Sequence, residues 1–235
     1  MKQLLVILVL LSVSVFAVEM SVGPGNPAGN GPVSIGSIAY SQTWDVDEAF
    51  HGISVYAAGD RWLCDDFILG GNFEIDEIVV WLIYPDTLTI PATEMNFMIL
   101  EDNGDVDPNS ASLVYDGLLV PSVSIDTGDI YHSESSGTDY NVYETTSTLV
   151  PGSYPSLSTG VTYWLCVQAY VEDNCFTMVS VNYIGSNCWF NDGAGVYVDT
   201  EEHPSLMYDT DMFFDLYGIE ASLESSTWAR IKTDF

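Results

Sequence analysis

The densest run of oxygen donors in the chain is Asp102-Asn103-Gly104-Asp105-Val106-Asp107-Pro108-Asn109. Short carboxylates and amides alternating around a glycine can wrap a hard cation at the distances Ca²⁺ prefers. Asp102, Asn103, Asp105 and Asp107 are therefore candidate ligands. The run is not an EF-hand loop, because its glycine is misplaced and no glutamate stands at the twelfth position. The same residues also suit a solvated hairpin turn, for which Asp, Asn and Gly have the right backbone preferences. A second acidic set is Asp65 and Asp66 with Asp209 and Asp211, and Asp215 just beyond. In a jelly roll the first and last strands often meet, which would gather these carboxylates. Crowded acids raise one another's pKa unless a cation neutralises them. A structural Ca²⁺ is the one cofactor implied, and none is required.

Catalytic signatures are absent. The chain has no HExxH, GxSxG or phosphate-binding loop, and His51, His132 and His203 are scattered in polar or turn-rich settings. With 34 acids, a pair spaced for glycoside hydrolysis is expected by chance and carries no weight. Aromatic residues are the other resource. Trp44, Tyr56, Tyr131, Trp189 and Tyr208 lie in loop-like or turn-rich contexts, where exposed rings could stack on sugars. Trp62, Trp81 and Trp164 sit in apolar strands and read as core.

The charge balance narrows the partners. The whole chain has a formal charge of −30, and −31 once Lys2, the one charge in residues 1–17, is removed. Arg61 is the only cation between Val18 and Ala229. Such a surface repels phosphate backbones and anionic lipid, which argues against nucleic acid and leaves an extracellular glycan or a surface or matrix protein as partner. Lys2 precedes the apolar run Leu4 to Leu11, and Val15 and Ala17 occupy the positions a signal peptidase reads. Residues 1–17 thus read as a secretory signal, with no membrane span after cleavage. Four cysteines in an exported chain imply two disulfides. Cys175 and Cys188 flank a hairpin expected from Phe176 to Asn187, which favours that pair and then Cys64 with Cys166. Free buried thiols are the alternative for Cys64 and Cys166, which lie in apolar strands.

These side chains must be positioned by strands. Residues 18–33 are rich in Gly and Pro and read as a flexible leader. From residue 34 to 219 short β-branched and aromatic runs alternate with turn signals, and no helical periodicity is sustained. Such runs are Arg61–Leu69, Phe73–Tyr84, Met95–Leu100, Asp139–Thr148, Thr162–Tyr170, Phe176–Val181, Gly195–Val198 and Met212–Tyr217. About ten short strands without helices point to an all-β, two-sheet antiparallel sandwich of jelly-roll type. Residues 220–235 form a tail that carries Arg230 and Lys232. Thr227 could cap one helical turn there.

Several runs in order resemble a known module. Trp62-Leu63-Cys64-Asp65-Asp66-Phe67 is similar to an ADDF strand, and Ile75 to Trp81 to the strand that follows it. Phe97 to Gly104 is similar to a strand ending in a DNG turn, with Leu113-Val114-Tyr115 behind it. Leu157 to Leu165 resembles an LxxGxxYWL segment, and Phe213 to Gly218 a closing FxLYG strand. Together they resemble the β-sandwich module of exported bacterial proteins that carry PEP-CTERM or other interchangeable surface anchors, over roughly Ala57 to Gly218. The resemblance implies an extracellular sandwich and supplies no catalytic residue. The expectation is a non-catalytic surface protein with an adhesion, matrix or interaction role. A carbohydrate-binding module with structural Ca²⁺ is the alternative, and a glycan hydrolase is third.

Overall fold

A computed structural model describes residues 36–42, 50–85, 92–133, 137–170, 175–180, 187–203 and 210–221. The expected signal, the leader, Trp44, Tyr208, Asp209 and the tail from residue 222 lie outside them. Among the described residues there are fifteen strands and no α-helix. In chain order these are β1 (Ser37–Gln42), β2 (Phe50–Ser54), β3 (Arg61–Ile68), β4 (Phe73–Pro85), β5 (Glu94–Glu101), β6 (Ser112–Leu119), β7 (Val123–Ser133) and β8 (Thr138–Thr148). They continue with β9 (Ser156–Leu157), β10 (Thr162–Tyr170), β11 (Phe176–Ser180), β12 (Trp189–Asp192), β13 (Val198–Asp199), β14 (Asp211–Met212) and β15 (Phe214–Glu220).

The strands build two antiparallel sheets, as the alternating pattern implies. The nine-stranded sheet has β4 as its spine. One side of β4 pairs with β15 and β11, and the other with β8 and β9. β1 flanks β15 with Ser37 opposite Gly218, β7 flanks β8, and β2 and β14 flank β11. The six-stranded sheet runs β13-β12-β3-β10-β5-β6.

Period-two alternation explains which side chains meet. Along β4, Ile78, Val80, Leu82 and Tyr84 face the other sheet, while Val79, Trp81 and Ile83 face outward. Leu63 and Phe67 of β3 and Leu165 and Val167 of β10 supply the opposing layer. Aromatic rings fill one end of it. Tyr40 lies 5.3 Å from Phe214 and Phe67 lies 5.7 Å from Tyr163, centroid to centroid. Trp62, Trp81 and Trp164 are buried, as their apolar strands imply, yet all three lie on outward faces rather than between the sheets.

Cys64 and Cys166 stand directly opposite each other on β3 and β10 and are joined by a disulfide. Cys175 and Cys188 are not joined; both are buried free thiols. The expected hairpin does not form, because β11 belongs to the nine-stranded sheet and β12 to the six-stranded one. Cys175 therefore precedes a strand in one layer and Cys188 a strand in the other. The expected strand at Gly195–Val198 is mostly a bend, with β13 beginning at its last residue. The disulfide closes a separation of 102 residues, so replacing both Cys64 and Cys166 by Ala lowers stability by about 2–5 kcal/mol. Urea denaturation measures this. Thiol titration of the unreduced protein should find Cys175 and Cys188 reactive only after unfolding.

Candidate functional site

The loop after β5 uses its acidic side chains on its own backbone. The Asp102 carboxylate accepts the Gly104 and Val106 N–H groups at 3.0 and 3.1 Å. The Asn103 carbonyl accepts the Asp105 N–H at 3.2 Å, and Asp107 accepts the Asn109 N–H at 2.7 Å. This is the turn alternative of the sequence reading, with the donor oxygens directed at amides. The loop also acts as a strap. Asn109 donates to the Tyr197 carbonyl and accepts the Tyr197 N–H, each at 2.8 Å. That clamp joins it to the segment before β13, beside the outward-facing cluster of Trp62, Cys64, Trp164 and Cys166. Val106 is held at φ 54°, a left-handed conformation that costs a β-branched residue about 1–2 kcal/mol. Val106→Gly relieves that strain but adds backbone entropy to the unfolded chain, so the net effect is a rise in melting temperature of about 1–3 °C. A thermal melt checks it.

The second acidic set is partly assembled. Asp65 points between the sheets among Leu63 and Phe67 and is about as buried as they are. Its carboxylate accepts the Met212 N–H of β14 at 2.7 Å, Gln42 Nε2 of β1 at 3.1 Å and the Asp66 N–H at 2.9 Å. Tyr40 in turn donates its hydroxyl to Gln42 Oε1 at 2.7 Å. Asp211, also buried, lies close enough for its carboxylate to act on Asp65. Burial first, and then Asp211, hold the Asp65 carboxyl well above its ordinary 3.8. Burial and the same two acids push up the Cys188 thiol. Asp66 turns to the opposite face, as its place next to Asp65 in a strand requires.

A third grouping was not anticipated. Asp215 of β15, Glu77 of β4 and Glu144 of β8 share the outward face of the nine-stranded sheet with Val79, Trp81 and Tyr217. Burial raises all three carboxyls, with Asp76 adding to Glu77 and Asp215 adding to Glu144. Asp215 Oδ1 has no hydrogen-bond partner among the described residues. A carboxyl whose pKa is raised holds its proton to higher pH than usual, and while it does so it can donate a hydrogen bond. The alternation of Glu77 with Val79 and Trp81, and of Glu144 with Val142, marks each as outward. Only the strand order shows that they are neighbours.

The three predicted aromatics among the described residues, Tyr56, Tyr131 and Trp189, do not form one platform. Tyr56 precedes the short 3-10 turn Ala57–Gly59 and bridges to Ala169. Tyr131 lies in β7 and packs on the Trp81 and Val142 cluster. Trp189 lies in β12, edge-on to Trp164 of β10 at 6.3 Å, both on the six-stranded sheet. His203 is buried against the Phe190 ring, with Asp192 at 3.7 Å. Among the described residues, no three His, Cys, Asp or Glu are grouped to hold a metal ion, and no helix is long and apolar enough to cross a membrane.

The exposed apolar surface is concentrated elsewhere. Leu113, Val114, Leu118, Val120, Val123, Ile125 and Ile130 are all exposed. They fall on β6, on β7 and on the link between them. β6 ends the six-stranded sheet and β7 ends its side of the other. No protein-family model matches the chain, and no curated protein matches it.

Raised carboxyls give stability a definite pH dependence. In the unfolded chain Asp and Glu ionise near 3.8 and 4.5, whereas Asp65, Glu77, Glu144 and Asp215 hold their protons higher in the fold. Folding therefore takes up protons. The stability this contributes is complete below about pH 4 and is lost as pH rises through the raised values. The melting temperature should fall as pH rises above the ordinary carboxylate range at fixed ionic strength. Asp65→Asn keeps an oxygen for the Met212 N–H, cannot ionise, and should flatten that slope.

Proposed function

We propose that this chain is an exported, non-catalytic sandwich module that works by surface contact, in an adhesion, matrix or interaction role. The observation that carries this reading is the concentration of exposed aliphatic side chains on β6 and β7. Exposed aliphatic side chains grouped on strands that end their sheets mark places of contact with something else. The acids support the same reading, since buried Asp65 and the carboxylates of the loop after β5 are engaged with backbone amides. The resemblance to anchored bacterial surface modules agrees with it. The triple variant Leu113→Lys, Val123→Lys, Ile125→Lys should remain folded by circular dichroism and lose most of its adsorption to an alkyl-terminated sensor surface. Undiminished adsorption by the folded variant would overturn the proposal.

The outward face around Trp81 favours a second reading, a carbohydrate-binding module. Tyr217 and Tyr131 lie there beside Glu77, Glu144 and Asp215, a mixture of rings and carboxyls that suits sugar faces and hydroxyls. Ca²⁺ support for that role would draw on Asp102 and Asp107, whose oxygens would have to release their backbone donors. Glycan-array binding that Tyr217→Ala abolishes would put this reading first.

A further inference from the structure

Asp65 and Asp211 are the two most deeply buried acids among the described residues, at 1% and 2% exposure. They come from different layers: Asp65 belongs to β3 of the six-stranded sheet and Asp211 to β14 of the nine-stranded one. The Met212 N–H links the layers by donating to Asp65, and it also lies against the Cys188 sulfur. Cys188 is tied to the same place by its own N–H, which donates to the Thr210 carbonyl at 2.8 Å.

The groups that face this pair are acids or neutral donors. β3 supplies Asp66, β1 supplies Tyr40 and Gln42, and Cys188 stands before β12. β11, the partner of β14, carries no titratable side chain. β10 sets Leu165 opposite Asp65, and Asp215 of β15 faces outward with Val79. Asp192 of β12 lies opposite Arg61, at the far end of β3. Arg61 is the only lysine or arginine among the described residues, and it donates to Ser54 of β2. No cation of the described residues therefore offsets Asp65 and Asp211.

Ionising both carboxyls would place two like charges in a water-poor interior, where repulsion is strong and a buried acid keeps its proton instead. The N–H donors settle where a single charge is best held. Met212, Gln42 and Asp66 all donate to Asp65, and such bonds favour the ionised form. The proton then belongs with Asp211, the two acids titrating as a pair. If that proton is lost, one strand must give way. β3 is paired on both sides, by β10 and β12, and its Cys64, next to Asp65, is joined to Cys166. β14 has two residues, paired to Val179 and Ser180.

We infer that Asp65 and Asp211 hold one proton between them and form a latch between the two sheets, and that losing this proton as pH rises frees β14 from β3 while the rest of the sandwich stays folded. The latch is a property of the interior and does not depend on the surface-contact reading.

Hydrogen exchange of the full chain, followed by NMR at several pH values and fixed ionic strength, tests this. After correction for base catalysis, the protection of the Met212 amide should fall about tenfold per pH unit, the slope of a one-proton step, over the interval where the freed acid is ionised and the latched one is not. The amides of β10 should keep their protection. Asp211→Asn, with one charge removed for good, should hold the Met212 amide protected and abolish the slope. Asp215→Asn, which removes a raised carboxyl from the outward face, should leave the slope in place. Carboxyl-carbon shifts of the unmodified protein give a readout that needs no variant: one proton of the pair should come off above the ordinary carboxylate range. Met212 protection indifferent to pH would overturn the inference, as would its loss in step with β10, a slope that survives Asp211→Asn, or two carboxyls that both titrate in the ordinary range.

Discussion

A nearly cation-free chain must place its carboxylates without counter-ions, and that constraint runs through the whole structure. Arg61, the one cation in the body, donates to the Ser54 hydroxyl at 3.1 Å. The acids are instead satisfied by amides, hydroxyls and retained protons. Asp102 and Asp107 close turns with backbone N–H groups. Asp65 ties β1, β3 and β14 together through Gln42 and the Met212 amide. A hydrogen bond from an amide to a carboxylate is stronger than a neutral one, and a buried acid left without it would be costly. Asp65 thus contributes to cohesion through the hydrogen bonds its carboxyl group accepts.

The same constraint shapes the surface. Negative charge spread over most of a fold keeps molecules apart at long range and leaves few places for close approach. The acids are unevenly spread along the chain: the segment from Asn109 to Ile125 holds Asp116 alone, and residues 145–171 hold none. The acidic skin and the aliphatic edge are complementary parts of one arrangement.

Much of the fold was legible because dense apolar runs leave little choice. β3, β4, β5, β10 and β15 each carry enough alternating Ile, Val, Leu, Trp and Phe to be strands in any context. β7 was not legible. Val123–Ser133 is broken by Asp126, Gly128 and Asp129, and an edge strand with a register shift has no need of a clean apolar face. Of the two expected cysteine pairs, Cys64 with Cys166 formed and Cys175 with Cys188 did not, for a related reason. Thirteen positions separate Cys175 from Cys188, which reads as a hairpin until the chain is seen to change sheets between β11 and β12. The meeting of Asp65 with Asp211 could be anticipated from the habit of first and last strands lying close. Glu77, Glu144 and Asp215 could not, because their proximity is a property of strand order. Glu77 and Glu144 looked like solvated acids among many, and Asp215 was expected beside Asp65 rather than beside them.

The antiparallel pairing of β1 with β15 sets Ser37 beside Gly218, so the sandwich begins and ends at one margin. A pull applied between those two points would unzip one short ladder, a bond at a time, and would leave the cystine-linked strands β3 and β10 in the other layer unstrained. Tethered through both ends, such a body would yield early and locally under load, with its main layers still stacked.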